Sequence, residues 1–148
     1  MENPIQKNNN DFIVYKQLEM NNNNRYKRGL EKIKRIYGKS WNVGFLDDIS
    51  PELGRYTVEF LFGDIYNEKK LDARSRQIAI VAALTALGNA DIPLKIHING
   101  ALNVGCRRQE IVEIMNEMAV YAGFPAAVNG LGIAREVFKE RDGRGEQN

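Results

Sequence analysis

Residues Asp72–Gly88 read DARSRQIAIVAALTALG, and this stretch decides the fold class. Ile78, Ile80, Val81 and Leu84 sit among five alanines, sixteen residues run without a breaker, and the stretch closes on Gly88, the residue type that best tolerates a left-handed cap. Periodicity alone does not separate a buried strand from a buried helix here. Length and alanine content select the helix. Being apolar on nearly every side, it is expected to be the central and most buried element.

The same punctuation recurs on both sides of it. Residues 25–37 place Tyr26, Leu30, Ile33 and Tyr37 on one stripe and stop at Gly38. Ser50-Pro51 supplies a capping side chain and then a proline suited to the first helical position, opening a helix to about Tyr66 whose interior is crowded with Leu53, Tyr56, Phe60, Leu61 and Phe62. Downstream, one helix runs from Asp91 or Pro93 to Val104. The next, from Arg107 to Ala122, carries Ile111, Ile114, Met115, Met118 and Ala122 on one face. A last helix follows Phe124-Pro125 and turns Ala127, Leu131, Ala134 and Phe138 inward. Nothing alternates convincingly enough for a sheet, so the expected fold is all-α, about six helices in one domain over residues 25–140. Eight of the sixteen asparagines lie in residues 1–24, a biased segment expected to be loosely ordered, with residues 11–20 left open as a short docked helix. Residues 141–148 are expected to be a disordered tail.

Composition removes several classes of function. The 148 residues are 43% hydrophobic, enough for a core, and a net charge of +2 is too mild to mark a nucleic-acid or membrane surface. One cysteine excludes an intrachain disulfide, a Cys-based zinc site and a Cys-x-x-Cys redox pair, and it suits a reducing compartment. The first residues lack a signal-peptide pattern, and the longest apolar run, Ile78–Leu87, is far below the ~20 residues that span a bilayer. A cytoplasmic protein with no membrane partner is expected. Seven basic residues between Arg25 and Lys39 oppose only Glu31, so an anion- or nucleic-acid-binding helix is the rival class; no recognition motif accompanies it, and no nucleic-acid partner is expected. The apolar helix at 72–88 and the small residues Ala126, Ala127, Gly130 and Gly132 fit either self-association or plain intrachain packing.

His97 is the only histidine, hence the only side chain with an ordinary pKa near neutrality. It shares a helical face with Leu94, Ala101 and Val104 and points inward, which by itself fits a hydrogen-bonded core histidine as well as a catalytic one.

Taken together, Phe62-Gly63, the run Leu71–Arg76, Ala83-Leu84-Thr85-Ala86-Leu87-Gly88, His97, Ala101-Leu102-Asn103-Val104-Gly105, Glu110-Ile111 and Tyr121-Ala122-Gly123-Phe124-Pro125 resemble the carboxymuconolactone decarboxylase family over residues 25–140. The resemblance implies the all-α fold of alkylhydroperoxidase D-like proteins, homo-oligomers built from dimers or trimers with a trimer or hexamer expected, and a small site between helices. It also implies a lyase of aromatic-compound catabolism that acts without cofactor or metal on a small carboxylated lactone or related acid, or, in the alkylhydroperoxidase D branch, thiol-based peroxide reduction. The Cys-x-x-Cys pair of that branch falls on Ala90 and Pro93, so its dithiol cycle cannot run.

Under the resemblance His97 becomes the general acid/base, a histidine poised near pH 7 that protonates the carbanion left by decarboxylation. A carboxylate-bearing substrate needs a cation, and Arg74 and Arg76 are the candidates; Arg76 holds the stronger family position, and a guanidinium fork fits a carboxylate. Asp64 and Tyr121 are further candidates for the substrate site, residue types more often structural than catalytic. Cys106 precedes Arg107-Arg108 and is either a weak substitute helix cap or, with its pKa lowered by the helix terminus and the arginines, a lone redox thiol. A family-fold protein without catalysis is the third reading.

Overall fold

The computed structural model describes residues 24–38 and 44–146. Residues 1–23, with the Asn-rich segment and its candidate helix at 11–20, lie outside the described residues. All regular structure among the described residues is helical: α1 over 24–37, α2 Gly44–Asp47, α3 Pro51–Tyr56, α4 Ala73–Leu87, α5 Asp91–Asn103, α6 Arg108–Tyr121 and α7 Phe124–Gly143. The described chain divides into two compact units, one of residues 24–35 and 44–68, the other of 36–38 and 69–146.

In the first unit, α1 lies against the segment after α3. Gly29 makes that approach possible, since a Cβ there would fall 2.0 Å from the Val58 carbonyl oxygen. The helix expected from Pro51 to Tyr66 is broken into three pieces: α3, a π-helical turn at Thr57–Phe62 and a 3₁₀ turn at Ile65–Asn67. Ser50 precedes Pro51 as expected, but its side chain caps nothing. The π-turn changes the register, so Val58, Phe62 and Tyr66 are buried, whereas Leu53, Tyr56 and Phe60, expected inside, are about half exposed. Tyr26 is likewise exposed, and Gly29 with Ile33 forms the buried stripe of α1 in this unit.

The second unit is a four-helix arrangement in which α4 touches α5, α6 and α7. Asp72 caps α4 by accepting hydrogen bonds from the Ser75 N–H at 3.0 Å and the Ser75 hydroxyl at 2.6 Å, and Gly88 ends it at φ +71°. The core gathers Val81 of α4, Leu94, Ile98, Ala101 and Leu102 of α5, Ile111 and Met115 of α6, and Ala134 and Val137 of α7. Gly130 brings α7 onto α4, because a Cβ there would press to 2.8 Å from Thr85 Cγ2. Central as it is, α4 is not the most buried helix. Only Gln77, Val81 and Thr85 are fully inside, and Ala79, Ala83, Ala86 and Leu87 leave an apolar flank open. α7 passes residue 140, where an unordered tail is expected to begin, and Arg141 is buried with Nη1 donating to Asn103 Oδ1 at 3.0 Å. No helix among the described residues is long and apolar enough to cross a membrane.

Candidate active site around His97

The central turns of α5 carry His97 between buried Leu94 and Ala101, and the imidazole is held by two side chains from other helices. Its Nδ1 lies 2.9 Å from Gln77 Oε1 on α4 and 3.0 Å from Tyr37 Oη at the end of α1. Gln77 Nε2 in turn donates to Tyr37 Oη at 3.3 Å, closing a triangle of polar groups. Tyr37 meets the imidazole edge-on, with ring centroids 5.9 Å apart. Gly100, three residues past His97, admits both partners: a Cβ there would sit 2.5 Å from Tyr37 Cε1 and 3.1 Å from Gln77 Oε1. Asn103 fastens the same segment, its Nδ2 donating to the Ile36 carbonyl at 3.0 Å.

Burial pushes the His97 pKa down from its ordinary 6.5 to about 4, so at neutral pH the free protein holds a neutral imidazole. This corrects the expectation of a histidine poised near pH 7. Surrounding polar groups pair with the ring without charging it, because an amide and a phenol, unlike a carboxylate, supply no negative charge to favour the imidazolium.

The other expected site residues are brought together only in part. Arg74 is bound to Glu110, an ion pair that raises its pKa. Glu110 also accepts from the Arg107 backbone N–H at 2.8 Å, and that bond, then Arg74, holds its carboxyl down at about 2. Arg76 is half-buried on α4 immediately before Gln77. At 100° per residue the two arginines flank Gln77 on opposite sides. Asp64 belongs to the first unit, where Arg25 forks onto it with Nε at 3.2 Å and Nη2 at 2.5 Å and Arg28 adds a contact at 3.5 Å. Tyr121 is 82% exposed at the end of α6.

Cys106 is corrected on both of its readings. Arg107, not Cys106, is the N-cap residue of α6, and Cys106 is buried in the core cluster. Burial pushes its thiol pKa up, against a smaller opposing pull from Arg74, which is the reverse of an activated thiolate. No group of three or more His, Cys, Asp or Glu side chains spaced to hold a metal occurs among the described residues.

Sequence reasoning missed Tyr37 and Gln77. Tyr37 is 60 residues from His97 and reads as one more apolar stripe position, and Gln77 is a neutral amide in an alanine-rich helix. The one available signal was a polar side chain in the middle of a run destined for burial, which must find a partner.

Comparison with known proteins agrees with this architecture. The profile of the carboxymuconolactone decarboxylase family matches residues 51–136, which include Gln77 and His97. The chain is 30% identical over 124 residues to 4-carboxymuconolactone decarboxylase of Acinetobacter baylyi, covering 82% of this chain and 92% of that protein. It is 31% identical over 98 residues to an uncharacterized 15.0 kDa protein of Paracoccus denitrificans, covering 66% and 73%. It is also 23% identical over 124 residues to nitrosuccinic acid decarboxylase npaB of Metarhizium robertsii, covering 82% and 86%. With most of both chains matched and the all-helical fold in place, this chain belongs to the carboxymuconolactone decarboxylase family.

Proposed function

We propose that the protein is a decarboxylase of small carboxylated acids, a carbon–carbon lyase, with His97 as its general acid/base. The family and two relatives named as decarboxylases support the reaction class. The observation that carries the assignment to His97 is the triangle with Tyr37 and Gln77, which fixes the one imidazole of the chain in a defined orientation on a buried helix.

The chemistry proceeds in balanced steps. A carboxylate-bearing substrate arrives as an anion, and its charge beside the ring raises the imidazole pKa, so a proton is taken up and imidazolium forms. The bond between carbon and carboxylate breaks, CO₂ leaves, and the electron pair stays on the carbon, delocalised into the adjoining electron-withdrawing group. The imidazolium then gives its proton to that carbon and returns to the neutral form. An imidazole of intrinsically low pKa is a strong acid once protonated, which suits the last transfer. Arg76 is the proposed carboxylate-holding cation: it directly precedes Gln77 on α4, and its guanidinium fork fits a carboxylate. The peroxide-reducing alternative is disfavoured by the burial and raised pKa of Cys106.

The test is CO₂ release from 4-carboxymuconolactone and, in parallel, from nitrosuccinic acid. His97→Asn is expected to slow turnover by roughly 10²–10⁴-fold while the helices remain folded. Full turnover per folded His97→Asn molecule rejects the acid/base assignment.

A further inference from the structure

We propose that Gln77 is a positioning residue that holds the proton of neutral His97 on Nδ1, leaving Nε2 as the nitrogen that exchanges a proton with substrate; the functional half of this proposal rests on His97 being the acid/base of the decarboxylation.

The assignment follows from what each atom of the triangle is able to do. Gln77 Oε1, 2.9 Å from Nδ1, has lone pairs only, so the contact is a hydrogen bond when Nδ1 carries the proton. Gln77 is fully buried, and its amide is kept in this orientation by Nε2 donating to Tyr37 Oη. That oxygen, 3.0 Å from Nδ1, is left to accept from the same N–H. Gly100 keeps the arrangement compact, since any Cβ there intrudes on both Tyr37 and Gln77 Oε1.

Two consequences separate a glutamine here from a carboxylate. The amide oxygen accepts from Nδ1–H in both the neutral and the imidazolium state, so the proton that comes and goes is the one on Nε2. Being uncharged, it orients the ring without stabilising the cation, which leaves the charging of His97 to the bound anion. A carboxylate at this position would hold the ring protonated before substrate arrived. The burial-lowered pKa of His97 agrees with an orienting partner of no charge.

Because His97 is the only histidine, the experiment needs no assignment: two-bond proton–nitrogen correlation on the uniformly ¹⁵N-labelled full chain reports one imidazole. At neutral pH the wild type is expected to show a protonated, pyrrole-type Nδ1 and a pyridine-type Nε2. Gln77→Glu is expected to keep Nδ1–H and, because a carboxylate favours the imidazolium, to shift Nε2 toward the protonated type as well. Gln77→Met removes the acceptor, leaves the Tyr37 hydroxyl to donate to Nδ1, and is expected to move the proton to Nε2 and lower kcat by roughly 10²–10⁴-fold with a much smaller change in KM. A wild type protonated on Nε2, the pattern of a reversed amide, overturns the proposal, as does a Gln77→Met protein that keeps Nδ1–H. Should Gln77→Met not fold, the wild type and Gln77→Glu decide: a neutral wild-type ring protonated on Nε2, or a Gln77→Glu protein without Nδ1–H, overturns the assignment. If the wild type shows Nδ1–H while His97→Asn keeps full CO₂ release, the acid/base reading fails and takes the functional half of the proposal with it, and the tautomer assignment alone survives.

Discussion

Gly100 and Tyr37 touch so closely that a methyl group on Gly100 would lie 2.5 Å from Tyr37 Cε1. Gly100→Ala is therefore expected to push the phenol ring off His97. Overpacking of this kind destabilises by about 1–3 kcal/mol, to be read from urea unfolding, and turnover should fall with it because the support of the imidazole is displaced. An unchanged unfolding midpoint would show that the ring has room to move.

The opposite sign is expected at Gly132. It lies inside α7, and a Cβ there meets nothing within 4 Å. Gly132→Ala should raise stability by about 0.4–1 kcal/mol, since only the freedom of the unfolded chain is reduced. A loss of stability or a change in association state would mean that this open face is covered in solution.

Arg74 and Arg76 should separate in kinetics. Arg76→Lys keeps the charge but loses the two-pronged fork, so KM for a carboxylate substrate is expected to rise more than kcat falls. Glu110→Gln removes the negative charge that pairs with Arg74 and leaves the Arg107 N–H only a neutral amide oxygen to donate to, and is expected to lower the melting temperature at neutral pH with KM unchanged. The Glu110 carboxyl is held down at about 2, so that stability is present above its ordinary value near 4.5 and is lost as the pH falls through about 2. The gap between wild type and Glu110→Gln should close over the same range. A KM that moves with Glu110→Gln and not with Arg76→Lys would exchange the roles of the two arginines.

Much of the fold was legible because it rests on local signals. Asp72 and Gly88 delimit α4 through side-chain capping and a positive φ, both properties of single residues. The stretch after Pro51 was not: a π-turn at Thr57–Phe62, packed where Gly29 meets Val58 from 29 residues away, shifts the register so that Val58 is inside while Tyr56 and Phe60 are about half exposed. The site divides in the same way. His97 stood out by its chemistry. Its low pKa and its two partners depend on burial and on contacts 20 and 60 residues away, and the ion pairs of Asp64 and Arg74 join residues 39 and 36 positions apart, none of which a linear pattern carries.

The last prediction concerns stability against pH, where His97 leaves a measurable mark. In the unfolded chain its imidazole takes up a proton near pH 6.5, whereas in the folded protein burial delays protonation to about 4. Between those values the unfolded state binds the proton and the native state does not, so stability falls as the pH is lowered. The contribution is fully present above about 6.5, declines through the interval, and levels off below about 4. A separation of this size corresponds to about 3 kcal/mol across the window. His97→Asn removes the titrating group, so its unfolding free energy between pH 7 and 4 should lose that part of the slope whatever the absolute change in stability, while the slope below 4, set by carboxylates such as Glu110, should persist. Denaturant unfolding of both proteins at pH 7, 6, 5 and 4 makes the comparison. Parallel curves would mean that His97 titrates alike in folded and unfolded chains, and that the imidazole is far better solvated than its place between Leu94 and Ala101 allows.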